Sequence, residues 1–329
     1  MSTLGVSFTD AALESRVVAG VGEVETQLSA AVDSPERLVA EAAAHLLNAG
    51  GKRFRPLLVL LCAEFGDPAH PDVARSAVVV ELTHLATLYH DDVMDEAALR
   101  RGAPSANSRW DNSVAILIGD YLFAQASDLV ADLGPEAVRI QARTFSRLVR
   151  GQIRETIGPD AGDDALAHYL GVVADKTGSL IATAALFGAK MSGAPTDVQE
   201  TLTEFGERIG AAFQLADDVI DVASETGDSG KTPGTDLREG VPTLPTLIAL
   251  RSTDAGSERL RSLLSRPLTD DAEHAEALTL LRAHPAMAEA RAYVQAEADA
   301  ASVLLAKLPD TSARAALQEL CDTVVTRLG

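Results

Sequence analysis

Between about residues 38 and 250, apolar residues recur at helical spacing in long runs, broken only by short stretches rich in Gly, Pro and Asp. The breaks are GGKRFRP at 50–56, GDPAHPD at 66–72, RRGAPS at 100–105, GPDAGDD at 158–164 and SGAPTD at 192–197. Each is built from residues that stop a helix and turn the chain, so each predicts a helix-to-helix connection. Strict apolar–polar alternation, the mark of a half-buried strand, is scarce. The pattern predicts an all-α protein, long helices bundled around a central cavity in a single domain spanning 1–329. Residues 223–242, ASETGDSGKTPGTDLREGVP, carry too much Gly, Ser, Thr, Asp and Pro for one regular helix and predict a mobile loop. Beyond Arg251 the chain turns Ala-rich and charged without a motif. The motif core is therefore about 38–250, and 251–329 is predicted to supply C-terminal scaffold helices.

Composition agrees with packed helices. The chain has 329 residues, 47% of them hydrophobic but only 4% aromatic, with Ala, Leu and Val dominating. Cys62 and Cys321 are far apart in apolar stretches and make no disulfide or metal spacing, which predicts buried free thiols in a reducing compartment. The N-terminal MSTLGVSFTDAALESR has no basic start and no long apolar run, so it does not read as a signal peptide. No stretch approaches the roughly 20 uninterrupted apolar residues of a membrane span. These features predict a soluble, cytoplasmic protein. The formal net charge of −20 argues against nucleic acid, which is held by a basic surface. Any anionic substrate must be met by local clusters of cations, side chains or metals, against this acidic background.

Two acidic clusters share one spacing: Asp91-Asp92-Val93-Met94-Asp95 and Asp217-Asp218-Val219-Ile220-Asp221. On a helix Asp91 lies beside Asp95 and Asp217 beside Asp221, with Asp92 and Asp218 at their flanks. One such cluster alone reads equally well as a solvated acidic face. Two, each near the C-terminal end of an apolar helix where the dipole disfavours anions, call for a cation. Carboxylate oxygens without His or Cys suit Mg2+, which keeps waters and bridges to phosphates.

Basic residues cluster beside them in Gly50-Gly51-Lys52-Arg53-Phe54-Arg55-Pro56 and Arg100-Arg101-Gly102. A surface turn would account for either alone. Lys as a point charge and Arg as a bidentate fork at a helix start suit a diphosphate.

In order and spacing, GGKRFRP, ELTHLATLYHDDVMDEAALRRG, GDYLFA, KTGSL and FQLADDVID followed by GKTPGTDLREG resemble the motifs of the trans-isoprenyl diphosphate synthases. The resemblance covers about 38–250 and implies a Mg2+-dependent prenyltransferase that adds isopentenyl diphosphate to an allylic diphosphate. It implies that Asp91, Asp92, Asp95, Asp217, Asp218 and Asp221 hold Mg2+, three ions per site with substrate bound, bridging the allylic diphosphate. Lys52, Arg55, His84 and Arg101 would bind the diphosphate of isopentenyl diphosphate. Arg100, Lys176 and Lys231 would neutralise the departing allylic diphosphate, and Thr177 and Gln214 would face the developing carbocation. Alone, His84 reads as a core histidine and Gln214 as an ordinary polar residue. The 223–242 loop would close as a lid carrying Lys231. A homodimer is implied, with no nucleic acid partner and only transient membrane contact for product release. Where many relatives carry a second loop lysine this chain has Val241.

Four and five residues before Asp91, about one helical turn of roughly 5.4 Å, stand Thr87 and Ala86, both small. They either line a long product tunnel or allow close helix packing. Short-chain relatives carry bulky aromatics at this level, so the resemblance is to the long-chain bacterial branch. It implies a product longer than C20 for a quinone side chain, with a geranylgeranyl or farnesyl diphosphate synthase as the alternative. Tyr89, about 200° round the helix from Asp91, is expected to face elsewhere. A class I terpene cyclase would usually replace the second aspartate cluster with an Asn/Ser/Glu motif. A non-catalytic subunit of a heteromeric synthase would typically lose motif residues.

Overall fold

The computed structural model describes residues 6–224 and 233–327. Residues 225–232 of the 223–242 stretch, Lys231 among them, lie outside the described residues, and with them the centre of the expected lid. The rest of the stretch is described and holds a short helix, Thr235–Glu239, where the sequence predicts loop.

The described chain is helical apart from one small hairpin. In order it runs α1 (Ala11–Ala31), α2 (Arg37–Asn48), α3 (Phe54–Ala63), α4 (Pro71–Met94), β1 (Leu99–Arg100), β2 (Ala103–Pro104), α5 (Ala106–Trp110), α6 (Asn112–Asp132) and α7 (Pro135–Ile157). Then come α8 (Ala165–Val173), a π turn (Ala174–Gly178), α9 (Ser179–Met191), α10 (Thr196–Ala223), α11 (Thr235–Glu239) and α12 (Leu244–Arg251). A 3-10 turn (Ala255–Ser257) leads to α13 (Glu258–Leu264), α14 (Asp271–Ala283), α15 (Ala286–Leu305) and α16 (Ser312–Thr326). The all-α expectation holds, and four helices, α13 to α16, follow Arg251.

By backbone contacts the chain divides into two compact units. One comprises Met1–Phe145, Leu180–Gly206 and Leu305–Glu319; the other comprises Ser146–Ser179, Glu207–Leu304 and Leu320–Gly329. Each gathers separate stretches of sequence, so no linker composition marks it.

In the first unit α4 is the central helix, packed against α1, α3 and α6. It begins where Pro71 fits the first helical position and His70 accepts from the Asp72 N–H at 3.3 Å. α3 is buried from Pro56 to Ala63 without a polar face. Such a helix exists only inside a core, where each buried Leu contributes about 2 kcal/mol. The break at 100–105 is a hairpin rather than the expected plain connection. Arg100 pairs with Ala103 and Leu99 with Pro104, around a two-residue loop in which Arg101 and Gly102 both have positive φ, 55° and 77°.

In the second unit α12 packs against α8, α13 and α14. Asp164 caps α8 by accepting from the Leu166 and Ala167 N–H groups at 2.9 and 3.4 Å. Both cysteines are buried free thiols, and burial pushes Cys321 up to about 12.

By length and composition two helices could cross a membrane, Asn112–Asp132 and the continuous Ala165–Met191, which run-by-run reading of the sequence did not flag. Asp175 and Lys176 interrupt the second, whose apolar window is 61% buried inside the protein.

Candidate active site

α2 ends at Asn48, and the chain turns through Gly50 and Gly51, with φ of 93° and 150°, to exposed Lys52 and then Arg53, left-handed at φ 47°. A non-glycine residue held there is strained and must be held by its surroundings. Arg53 is held by its own side chain. It donates to Glu25 through Nε and Nη2, to buried Glu81 from Nη1 at 3.3 Å, and to the Leu47 carbonyl from Nη2 at 3.0 Å. Arg101, the other strained arginine, donates to the Leu46 carbonyl at 2.8 Å and to that of Gly50. The terminal carbonyls of α2 and its exit turn, which lack helical partners, thus accept from guanidiniums.

Arg55 completes the group from the first turn of α3. Its Nε is buried and has no hydrogen-bond partner. Burial and the Arg101 charge pull its pKa down, while Glu81 opposes them. His84, facing the same cluster from α4, is held well below the usual imidazole range by burial and then by repulsion from Arg55, Arg101, Arg100 and Arg53. Arg100 pairs with the first aspartate cluster. The other three, Arg53, Arg55 and Arg101 around a neutral histidine, face two carboxylates, Glu25 and Glu81, so one guanidinium is in excess and the buried Arg55 donor has no hydrogen-bond partner. The missing partner is an anion.

The first aspartate cluster closes α4. Asp91 and Asp92 lie in the last turn and Asp95 is the C-cap, its N–H bonded to the Asp91 carbonyl at 2.8 Å. Asp92 is fully enclosed and accepts from Arg100 Nε at 2.6 Å, while exposed Asp95 lies 3.6 Å from Arg100 Nη2. The hairpin therefore brings Arg100 onto the cluster as its counter-ion.

In the second unit Asp217, Asp218 and Asp221 occupy the last two turns of α10. Asp218 is buried, accepting from the Tyr169 hydroxyl and from Gln214 Nε2 at 3.1 Å. Burial pushes its pKa up to about 7, with Asp217 adding to the rise and the two hydrogen bonds opposing it. Thr177 Oγ1 donates to Gln214 Oε1 at 3.1 Å, so a continuous chain runs Thr177, Gln214, Asp218, Tyr169. Burial and the Asp218 charge hold Tyr169 well above the usual phenol range, which keeps it a donor. Asp217 accepts from Arg327 at 2.7 Å, whose guanidinium also lies 5.1 Å from the Phe213 ring centre. The Asp221 side chain accepts from the Asp236 N–H at 3.4 Å. Lys176 sits in the π turn, paired with Glu155 of α7.

The donor set fits a hard divalent cation. All the acidic groups are carboxylates, and among the described residues no three acidic, His or Cys side chains form a ready cage. Mg2+ takes one or two carboxylates and completes its shell with water and phosphate oxygens.

The structure thus brings Arg55, His84, Arg100 and Arg101 together in one unit and Thr177 and Gln214 together in the other. Lys52 is exposed at the turn, and Lys231 is outside the described residues. Ala86 is fully buried in α4, and Thr87 is also buried, donating to the His84 carbonyl at 2.8 Å. Tyr89 is turned to α2, donating to the Ala42 carbonyl and accepting from the Leu46 N–H at 3.3 Å. Val241 is 38% exposed. Sequence reasoning missed Glu81, Tyr169 and Arg327. Glu81 did leave a signal, a lone carboxylate within the apolar Val78–Leu82 run.

The sequence profile described as polyprenyl synthetase matches residues 36–281. A nonaprenyl diphosphate synthase of Mycobacterium tuberculosis is 53% identical over 328 residues, covering 99% of this chain and 97% of that protein. A geranylgeranyl pyrophosphate synthase of Corynebacterium glutamicum, crystallised with calcium and isoprenyl diphosphate, superposes with a TM-score of 0.90 at 46% identity, over 98% of this chain and 100% of that one. A decaprenyl diphosphate synthase of Rhodobacter capsulatus superposes with a TM-score of 0.87 at 33% identity, over 96% of this chain and 98% of that one.

Proposed function

This chain belongs to the polyprenyl synthetase family and is a prenyltransferase, an all-trans polyprenyl diphosphate synthase, and on that premise we propose how its residues divide the work and how long its product grows. The reaction is ionisation of an allylic diphosphate, condensation of the cation with isopentenyl diphosphate, and elimination of a proton.

The observation that carries the division is the guanidinium cluster with its orphan Arg55 donor. Arg55 and Arg101, with exposed Lys52, bind the diphosphate of isopentenyl diphosphate, and neutral His84 donates to it without adding charge that would repel the arginines. Arg100 and Lys176 serve the allylic diphosphate, and Lys231 is assigned there with them. Charge develops on the leaving oxygen as the C1–O bond breaks, so cations held ready there lower the barrier. Magnesium, held by the carboxylates of each cluster, would neutralise that leaving group. All six aspartates are ligands in this reading; Asp91, Asp95, Asp217 and Asp221 are the less buried, while Asp92 and Asp218 are buried against Arg100 and Tyr169. Thr177 and Gln214 offer oxygen dipoles to the cation, whereas an amine or thiol there would be alkylated. The departing diphosphate takes the final proton.

Small Ala86 and Thr87 support a product longer than C20, as does the likeness to a nonaprenyl synthase. The likeness to a geranylgeranyl synthase supports the shorter alternative. The chain is assigned to the cytoplasm. Two measurements test the function. Purified protein with farnesyl and isopentenyl diphosphates should form polyprenyl diphosphate only when divalent metal is present, and Asp91→Ala or Asp217→Ala should lower turnover at least about 1,000-fold. Arg55→Ala should raise KM for isopentenyl diphosphate more than for the primer. Turnover in excess chelator, or the opposite KM pattern, refutes these assignments.

A further inference from the structure

Residues 165–191 would form one helix but for the single π turn Ala174–Gly178, and that turn carries Lys176 and Thr177. A π turn holds a residue more than an α turn and sets its carbonyls out of line. It persists where neighbours hold it, frequently at functional sites.

Here the neighbours are specific. Arg147 of α7 donates from Nε to Asp175 Oδ1 at 3.0 Å, from Nη1 to Glu207 Oε1, and from Nη2 to Glu207 Oε2 and the Ala174 carbonyl, both at 3.3 Å. One guanidinium therefore grips the side chain and the backbone of the turn and ties both to α10. Ser179 Oγ donates to the Asp175 carbonyl at 2.6 Å from the other end. Four residues along α7 from Arg147, Gly151 lets the helix lie against the turn: a Cβ there would come within 2.6 Å of the Lys176 nitrogen. Thr177 makes a second tie to α10 through Gln214. Glu207 and Gln214 are seven residues apart, on the same face of α10 and about 10.5 Å apart along its axis. The turn is thus fastened to α10 at two levels. A one-residue slip toward α geometry would swing one side of it by about 100° relative to the other, so the two ties could not both be kept.

We propose that Arg147, Asp175 and Glu207 form a register clamp whose task is to keep the π turn wound, so that Lys176 and Thr177 stay aligned for ionisation of the allylic diphosphate. These are positioning residues, and the inference rests on the roles proposed above for Lys176 and Thr177. The planar fork is essential, because a lysine in its place can present no flat array of donors to a carboxylate pair and a carbonyl at once.

Arg147→Lys in the full chain tests this, since it keeps the charge and removes the fork. With farnesyl and isopentenyl diphosphates kcat should fall about 100-fold, while KM for isopentenyl diphosphate changes less than about twofold. Amide exchange should quicken about tenfold or more across Ala174–Gly178 while the other helices keep their protection. Combined with Thr177→Ala, Arg147→Lys should cost little beyond the larger single effect, because both act through one turn. Multiplicative losses in the double variant, or wild-type kcat with unchanged exchange, overturn the clamp. If Arg147→Lys does not fold, isosteric Glu207→Gln carries the same measurements. Absence of any prenyl product from the wild type would refute the functional reading, while the exchange comparison would still decide whether the clamp exists.

Discussion

Arg53 and Arg101 hold left-handed backbone that glycine or asparagine would adopt more cheaply, so their side chains must repay the strain locally. They do so by pairing with Glu25, Glu81 and the exposed carbonyls at the end of α2. In the proposed assignment Arg55 and His84, with Arg101 and Lys52, meet the substrate diphosphate. This division explains why a neutral His84 is useful, and it makes a prediction about stability. In the folded chain burial and the charges of Arg55, Arg101, Arg100 and Arg53 hold the His84 imidazole well below its usual range, although Glu25 and Glu81 pair with Arg53 and Asp92 and Asp95 with Arg100. In the unfolded chain an imidazole takes up its proton as pH falls below about 6.5. Below that pH the unfolded state binds the extra proton, so folding stability drops as pH falls, by up to about 1.4 kcal/mol per pH unit; above it the effect vanishes. Denaturant melts of wild type and His84→Gln between about pH 5 and 7 should show a stability difference that shifts against the wild type as pH falls. A constant difference would mean that His84 takes up its proton over the same pH range in the folded and the unfolded chain. At this scale the aspartates, Lys52, Arg55 and Arg101 stand out in the sequence as candidates, because their types are out of place in apolar helices or clustered in turns. It did not reveal Tyr169, which on an apolar α8 reads as core. Only the packing of α8 against α10, 49 residues on, turns its hydroxyl to Asp218.

Long helices and most of their breaks could be read from apolar spacing because the period extends over several turns and Gly, Pro and Asp stop it abruptly. Two departures escaped that reading for a physical reason. The hairpin at 99–104 has strands of only two residues each, too short for any alternation to register. The π turn shifts the helical phase by one residue within a continuous apolar segment, a change smaller than the scatter of the pattern. α4 also carries the expectation about product length. Ala86 is fully buried and Thr87 nearly so, one turn ahead of Asp91. Tyr89 is committed to α2, which leaves α4 without an aromatic at this level toward Thr87. Ala86→Phe should therefore shorten the product by at least one prenyl unit, read by chromatography of the dephosphorylated alcohols. The larger ring should also cost about 1–3 kcal/mol through overpacking, read from the melting midpoint. A wild type that stops at C15 or C20, or an unchanged distribution in the variant, would show that another helix sets the length.

At the scale of the whole molecule, the unexplained feature is α6. Its most apolar window is only 33% buried, and Ile116 and Leu117 stand 43% and 63% exposed on it. A helix this apolar gains nothing from water and is expected to meet another surface. A bilayer is the poorer occupant, because Asp120 and Asp128 lie within the same helix and carboxylates are costly in hydrocarbon. A second copy of this chain is the better one. An isologous contact would place α6 against α6, burying Ile116 and Leu117 twice over while leaving the carboxylates at a wet rim. The net charge of −20 opposes association in general, so the contact must be apolar and local, and it should tighten as salt screens the repulsion. The purified chain should accordingly sediment as a homodimer at micromolar concentration. Leu117→Lys should shift it toward monomer, because one charge buried without a partner in each copy costs several kcal/mol of association. Val303→Lys, an exposed apolar position on α15, should leave the dimer intact and serves as the control. Equal sedimentation of wild type and Leu117→Lys would place the interface on another face.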